Sequence, residues 1–204
     1  MAYIDERKFA ALEGLDFAGK TTLIKQFVEL TGWATVNEPY TGNEFAAEVK
    51  RQNNANYLPK HYEMMSIVAG RIDCFDEVID KHLTTGIITD RCVVSSMVYQ
   101  ATDRCSPHNV LTINKTALLL HGHDIFPSDI FFVDIRHETF LDRLANCNRA
   151  VDEKDLFLKD PENWKALRAR YVSSLEIMQR CGVKIHHLGE RHSAVDMVRM
   201  LGIA

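Results

Sequence analysis

Residues 9–27 read FAALEGLDFAGKTTLIKQF, an apolar run followed by a glycine-flanked loop and then a helical pattern. Within it, Gly14 to Thr21 fits G-x-x-x-x-G-K-[ST], the signature of a loop whose backbone N–H groups cradle phosphates. Glycine lets the backbone curl inward, and the helix that follows presents its positive end to the same point. Lys20 adds a mobile cation, and the Thr21 hydroxyl suits a magnesium ion. The flanks decide the fold. Phe9 to Leu12 is a short buried-strand pattern, while Leu23, Phe27 and Leu30 recur at helical spacing. A strand, a phosphate loop and a helix in that order predict a site for a nucleoside triphosphate.

Working outward, strands are expected at 34–36, 86–89, 129–134 and 183–188, each followed by a helical pattern. Such alternation predicts an α/β fold of the P-loop NTPase kind. Its five-stranded parallel sheet is covered by helices on both faces, with the ligand beyond the carboxyl ends of the strands. A long helix is expected over 59–83, where Met65, Val68, Ile72, Phe75 and Ile79 form a core or dimer stripe. No repeat or linker divides residues 1–204, so one domain is expected.

Composition narrows the function classes. With 46% hydrophobic and 25% charged residues the chain reads as globular, and a net charge of −4 argues against a nucleic-acid partner. Five scattered cysteines with no C-x-x-C argue against a disulfide framework or a zinc site and favour a reducing, cytoplasmic setting. The pairs His121/His123 and His186/His187 lack a third ligand at metal-binding spacing. No run approaches the roughly 20 apolar residues of a membrane span, and the charged N-terminal stretch does not read as a signal peptide.

Chemistry recurs at the strand ends. Asn37-Glu38-Pro39-Tyr40 follows the second strand, and Asp90-Arg91-Cys92 follows the third. An acidic residue there suits a magnesium-bound water, and the adjacent arginine can clamp a second phosphate. Arg71 interrupts an apolar helix one turn after Ile67, so the two can meet one ligand together.

Taken in order, these segments resemble the thymidylate kinases, nucleoside monophosphate kinases of the P-loop group. LEGLDFAGKTT is similar to the family's F-x-E-G-x-D-x-x-G-K-T-T, NEPY to its acidic-Pro segment, and TDRCVVSSMVYQ to D-R-[YH]-x-x-S-x-x-A-Y-Q. The helix ending in Arg71, the stretch PSDIFFVDIRHETFLDRL and the late NWKALRARYVSSL also match, so the resemblance spans about 8–175.

The resemblance implies ATP-dependent phosphorylation of dTMP to dTDP with Mg2+, by a homodimer. The loop residues Gly14, Phe17, Ala18, Gly19, Lys20, Thr21 and Thr22 would hold ATP, joined by Arg143. Thr21 and Asp90 would place the metal. Asp16 would meet the 3′-hydroxyl of the deoxynucleoside monophosphate, and Arg71 and Arg91 its phosphate. Glu38, Pro39, Ile67, Ser95, Ser96, Tyr99 and Gln100 would line its pocket, with Tyr99 excluding a 2′-hydroxyl. A lid near 145–157 would supply Arg149, which joins Lys20 and Arg91 as a catalytic cation because Phe17 stands where some members carry an arginine.

Ile67 replaces the family's stacking phenylalanine, Tyr40 a Gly or Arg, and His137 a proline, which opens a relaxed base specificity. Two other readings stand beside this one. A deoxynucleoside kinase would use Glu38 as base toward a 5′-hydroxyl, and a switch protein would bind nucleotide without turning over a small acceptor.

Overall fold

The computed structural model describes residues 8–54, 58–123, 126–148 and 151–203. Its sheet starts from β1, Phe9–Glu13, where all five residues are buried. A strand buried on both sides needs a layer of helices on each face, which only a parallel, crossover-connected sheet provides. Five parallel strands follow that rule, in the order β2 (Ala34–Asn37), β3 (Ile87–Asp90), β1, β4 (Asp129–Val133) and β5 (Lys184–Leu188). The sequence places all five within one residue at each end.

Helix α1, Lys20–Thr31, leaves the loop after β1 and packs on α10, Ala194–Leu201. α5, Val93–Tyr99, packs on α6, Pro107–Leu120, and on the 20-residue α9, Pro161–Arg180. Phe132 of β4 stacks on Tyr171 of α9 at 5.6 Å, and both are fully buried. Each such ring contributes about 1.5–3 kcal/mol of burial.

The segment after β2 carries α2, Glu44–Asn54, and α3, Lys60–Cys74, which runs on through a π-helical turn, Phe75–Ile79, into α4, Asp80–His82. Val68, Phe75 and Ile79 are buried as the stripe predicts, but Met65 is 53% exposed. The stripe thus runs buried into the π turn, whose Phe75 and Ile79 face the core, and ends there, since no residue of α4 is buried. Ile67, Arg71 and Cys74 form the face that α3 buries instead. His123 ties the end of α6 to this region through contacts of 3.0 Å to Asp76 and Asp80, and His186 pairs with Asp129 at 2.7 Å. Among the described residues no helix is long and apolar enough to cross a membrane.

α7, His137–Ala145, leads into the expected lid, and the short α8, Glu153–Phe157, lies within it. Strand register brings Leu12, Asn37 and Asp90 to one level, so three strand ends open onto the same point.

Candidate active site

The loop between β1 and α1 is shaped by close approach. A Cβ on Gly14 would lie 2.7 Å from the Val133 carbonyl oxygen, so only glycine lets the loop lie against β4. Gly19 caps α1 at φ 95°, and Phe17 holds a left-handed φ of 61° while its ring packs edge-on against Phe140. Such strain in a non-glycine residue persists where neighbours fix the backbone.

Lys20 is buried and donates to the carbonyls of Gly14 and Leu15 at 3.0 and 2.9 Å. Burial, and then the nearby Arg91 guanidinium, push its amine down to about 8. Arg143 reaches the loop from the last turn of α7, donating to the Phe17 carbonyl at 2.9 Å. Together with Thr21, Thr22 and Asp90, these cations line a cavity of about 410 Å³. A second cavity of about 460 Å³, between Leu23, Gln26, Gly189 and His192, adjoins it at Gly19, Thr22 and Arg143.

On the other side, α3 and α5 form the walls of a cavity of about 260 Å³. Pro39, Ile67, Arg71, Ser95, Ser96, Tyr99 and Gln100, expected together around the acceptor, all line this one cavity. Asp16, Glu38, Lys50 and Arg91 line both this cavity and the one at the phosphate loop, so the two meet there. Asp152 and Lys154 bring the lid to the same pocket. Arg149 lies outside the described residues.

The two arginines are held differently. Arg91 has a left-handed φ of 74° and donates to Tyr171 at 2.9 Å, Ser95 at 3.1 Å and the half-exposed Asp16. Its guanidinium also lies 5.8 Å from the centre of the Tyr99 ring. Arg71 is buried, with Nε donating to Glu38 at 2.8 Å, Nη2 to Glu38 and to Ser96 at 3.2 Å, and Nη1 to Asn114. The resemblance gave Arg71 to the acceptor phosphate; here its charge is matched by a carboxylate as buried as itself, and one N–H of its guanidinium is left unengaged among the described residues. Glu38 shares that engagement, so it is not the unencumbered base that a sugar hydroxyl requires.

Sequence reasoning missed Glu13, Lys50, Asn114 and Tyr171. Glu13 is fully buried at the end of β1 and accepts from Cys92 N at 2.8 Å, Ser95 N at 3.1 Å and Ser95 Oγ at 2.8 Å. It thereby fixes the turn that aims Arg91, and burial raises its pKa. Its place in the LEGLD match was the available signal. Tyr40, which departs from the family pattern, is a packing residue whose hydroxyl donates to Glu77 at 2.5 Å.

Thr21 and Asp90 face the same cavity, and Asp90 Oδ1 is a buried oxygen without a hydrogen-bond partner among the described residues. A hydroxyl and an unmatched carboxylate oxygen suit magnesium, which takes few protein ligands and completes its shell with phosphates and water.

The thymidylate kinase family model matches residues 12–187. The chain is 31% identical over 167 residues to the thymidylate kinase of Thermosipho africanus, covering 76% of this chain and 81% of that one. It is also 31% identical over 151 residues to the thymidylate kinase of Blochmanniella floridana, covering 68% and 70%. The crystal structure of thymidylate kinase from Ehrlichia chaffeensis superposes with a TM-score of 0.67 at 19% identity, over 96% of this chain and 98% of that chain.

Proposed function

The chain belongs to the thymidylate kinase family, and from that premise we propose that it transfers the γ-phosphoryl group of ATP to a phosphate oxygen of dTMP, giving dTDP and ADP. The observation that carries this reading is the meeting of two anion-suited cavities at Asp16, Lys50 and Arg91. A binding switch needs one phosphate site; a phosphoryl transfer between two nucleotides needs two, side by side.

ATP phosphates occupy the loop from Gly14 to Thr22, with Lys20 released from its carbonyls to the β- and γ-phosphates and Arg143 beside it. The adenosine extends into the cavity between Leu23 and His192. Thr21 and Asp90 would hold Mg2+, which would neutralise phosphate charge. The dTMP phosphate lies at Arg91 and Lys50, and its sugar between Asp16 and Tyr99. The base edge meets the remaining Arg71 N–H and Gln100, with Ile67 against its face.

An ionised phosphate is already a nucleophile, so no residue need remove a proton. The attacking oxygen and the γ-phosphorus are brought together, and Lys20 and Arg91 compensate the charge that develops. The lid, with Arg149 as its cation, excludes water from the reacting groups as it closes. We place all of this in one domain, acting as a homodimer packed through α3, where Tyr62 and Met65 are exposed.

ADP release with ATP and Mg2+ in the presence of dTMP or thymidine tests the reading. Turnover with dTMP and none with thymidine is expected. Turnover with thymidine alone would instead assign the site to a nucleoside kinase.

A further inference from the structure

The base end of the acceptor cavity offers more hydrogen-bonding capacity than thymine can use. α3 lines it with Glu63, Ile67 and Arg71, which are spaced by four and share one helix face. Ser96 and Gln100 face them from α5 and its C-terminal end. Two contacts bridge the walls: Arg71 Nη2 donates to Ser96 Oγ at 3.2 Å, and Gln100 Nε2 donates to Glu63 Oε1 at 3.3 Å. The second contact sets the amide orientation, because a flipped amide would press oxygen against the carboxylate.

Gln100 Oε1 is thereby left as a buried acceptor with no partner among the described residues, on a side chain only 6% exposed. A buried acceptor without a donor is costly, and a ligand N–H relieves that cost. Next to it, Glu63 is paired at 2.7 Å with Lys60, whose side chain is 59% exposed and free to give way. The pocket thus gathers Arg71 with Ser96 at one level and Gln100 with Glu63 at the next, a donor followed by an amide oxygen and a carboxylate.

Thymine presents a carbonyl, an N–H and a second carbonyl, so its last group gains nothing from Glu63. Guanine presents a carbonyl, an N–H and an amine, which complements all three positions. Adenine and cytosine place an amine opposite the arginine and a bare ring nitrogen opposite the amide oxygen. Ile67 also leaves the α3 wall without a flat ring; among the described residues Tyr99 is the one aromatic side chain lining the cavity, and it lies against Arg91.

We propose that the pocket accepts dGMP alongside dTMP, with Glu63 reading the 2-amino group and Ile67 making room for the purine. The inference rests on the reading of the site as a deoxynucleoside monophosphate kinase. The chemistry is unchanged: a dGMP phosphate oxygen bonds to the γ-phosphorus, the bond to the β-phosphate oxygen breaks, and dGDP and ADP leave.

The test is ADP release and calorimetric binding with dTMP, dGMP, dIMP, dAMP and dCMP, for the wild-type chain, Glu63→Gln and Ile67→Phe. The expected kcat/KM for dGMP lies within about tenfold of that for dTMP, and dAMP and dCMP fall about 100-fold or more below, as mismatched base edges do. dIMP, which lacks only the 2-amino group, should lose about tenfold against dGMP, mainly in KM. Glu63→Gln should shrink that gap, and Ile67→Phe should shift the ratio toward dTMP by about tenfold. Turnover of dTMP with dGMP neither bound nor phosphorylated overturns the guanine assignment and leaves the kinase reading standing. Equal handling of dGMP and dIMP overturns the role of Glu63. Turnover of none of the monophosphates overturns the kinase reading and the inference with it.

Discussion

Arg71 and Arg91 both line the acceptor pocket and both face a carboxylate, yet their pairs differ in burial. The Arg71–Glu38 side chains are each 5% exposed, whereas Arg91 is 17% and Asp16 45% exposed. A pair closed off from water cannot exchange partners cheaply, because separating it strands a charge in low dielectric. A half-solvated pair can, since water and an arriving phosphate take over the contacts. The difference teaches that arginine content alone does not locate a phosphate site. In the proposed reading Arg71 would be a fixed donor to a neutral base edge, and Arg91 the exchangeable clamp.

The comparison breaks first at Glu38. Glu38→Ala should destabilise the fold by about 3–5 kcal/mol, the usual loss when one partner of a buried pair is removed, read from urea unfolding midpoints. A loss below about 1 kcal/mol would mean that Arg71 is solvated after all and the two pairs are alike. Next comes Arg91→Ala, for which turnover of dTMP should fall by about 10²–10³-fold, as when one charge-stabilising donor is removed from a reacting centre. Arg71→Ala should act mainly through KM for the base and through stability. A mainly kcat effect at Arg71 would return it to the phosphate.

Lys20 sharpens the contrast from the side of pH. Its amine, pushed down to about 8 by burial and by Arg91, binds its proton less tightly in the folded chain than in the unfolded one. This group therefore opposes folding at low pH, and its penalty fades as pH rises from about 8 toward its ordinary value of 10.5. ATP binding needs the charged form, so kcat/KM for ATP should decline above pH 8 by up to about tenfold per unit. Lys20→Arg, which stays protonated, should remove that decline in whatever activity it keeps. A wild-type profile flat to pH 10 would show that neither burial nor Arg91 holds the Lys20 amine down in the functioning site.

Much of this site could be read in the sequence because its residues lie next to strand ends. Gly14 to Thr22, Glu38, Asp90 and Arg91 each follow an apolar run directly, so strand placement positioned them. The partners that decide what they do come from far along the chain. Asn114 meets Arg71 across 43 residues, and Tyr171 meets Arg91 across 80. No local period encodes such a meeting, so neither partner could be read from the sequence.

The smallest expected effect is also the closest control. Asp16→Asn removes the same kind of charge from the same kind of partner as a change at Glu38, but at a side chain 45% exposed. Water can solvate the Arg91 face that is released, and Tyr171, Ser95 and the Gly14 carbonyl still hold the guanidinium. The stability loss should stay within about 1 kcal/mol. Catalysis should still suffer, because Asp16 borders both cavities and is proposed to meet the acceptor sugar, so kcat for dTMP should fall while the unfolding midpoint barely moves. If Asp16→Asn instead destabilised the chain as much as Glu38→Ala, burial would not be what separates the two pairs. Arg91 would then be as fixed as Arg71, and the exchangeable cation between the cavities would have to be Lys50.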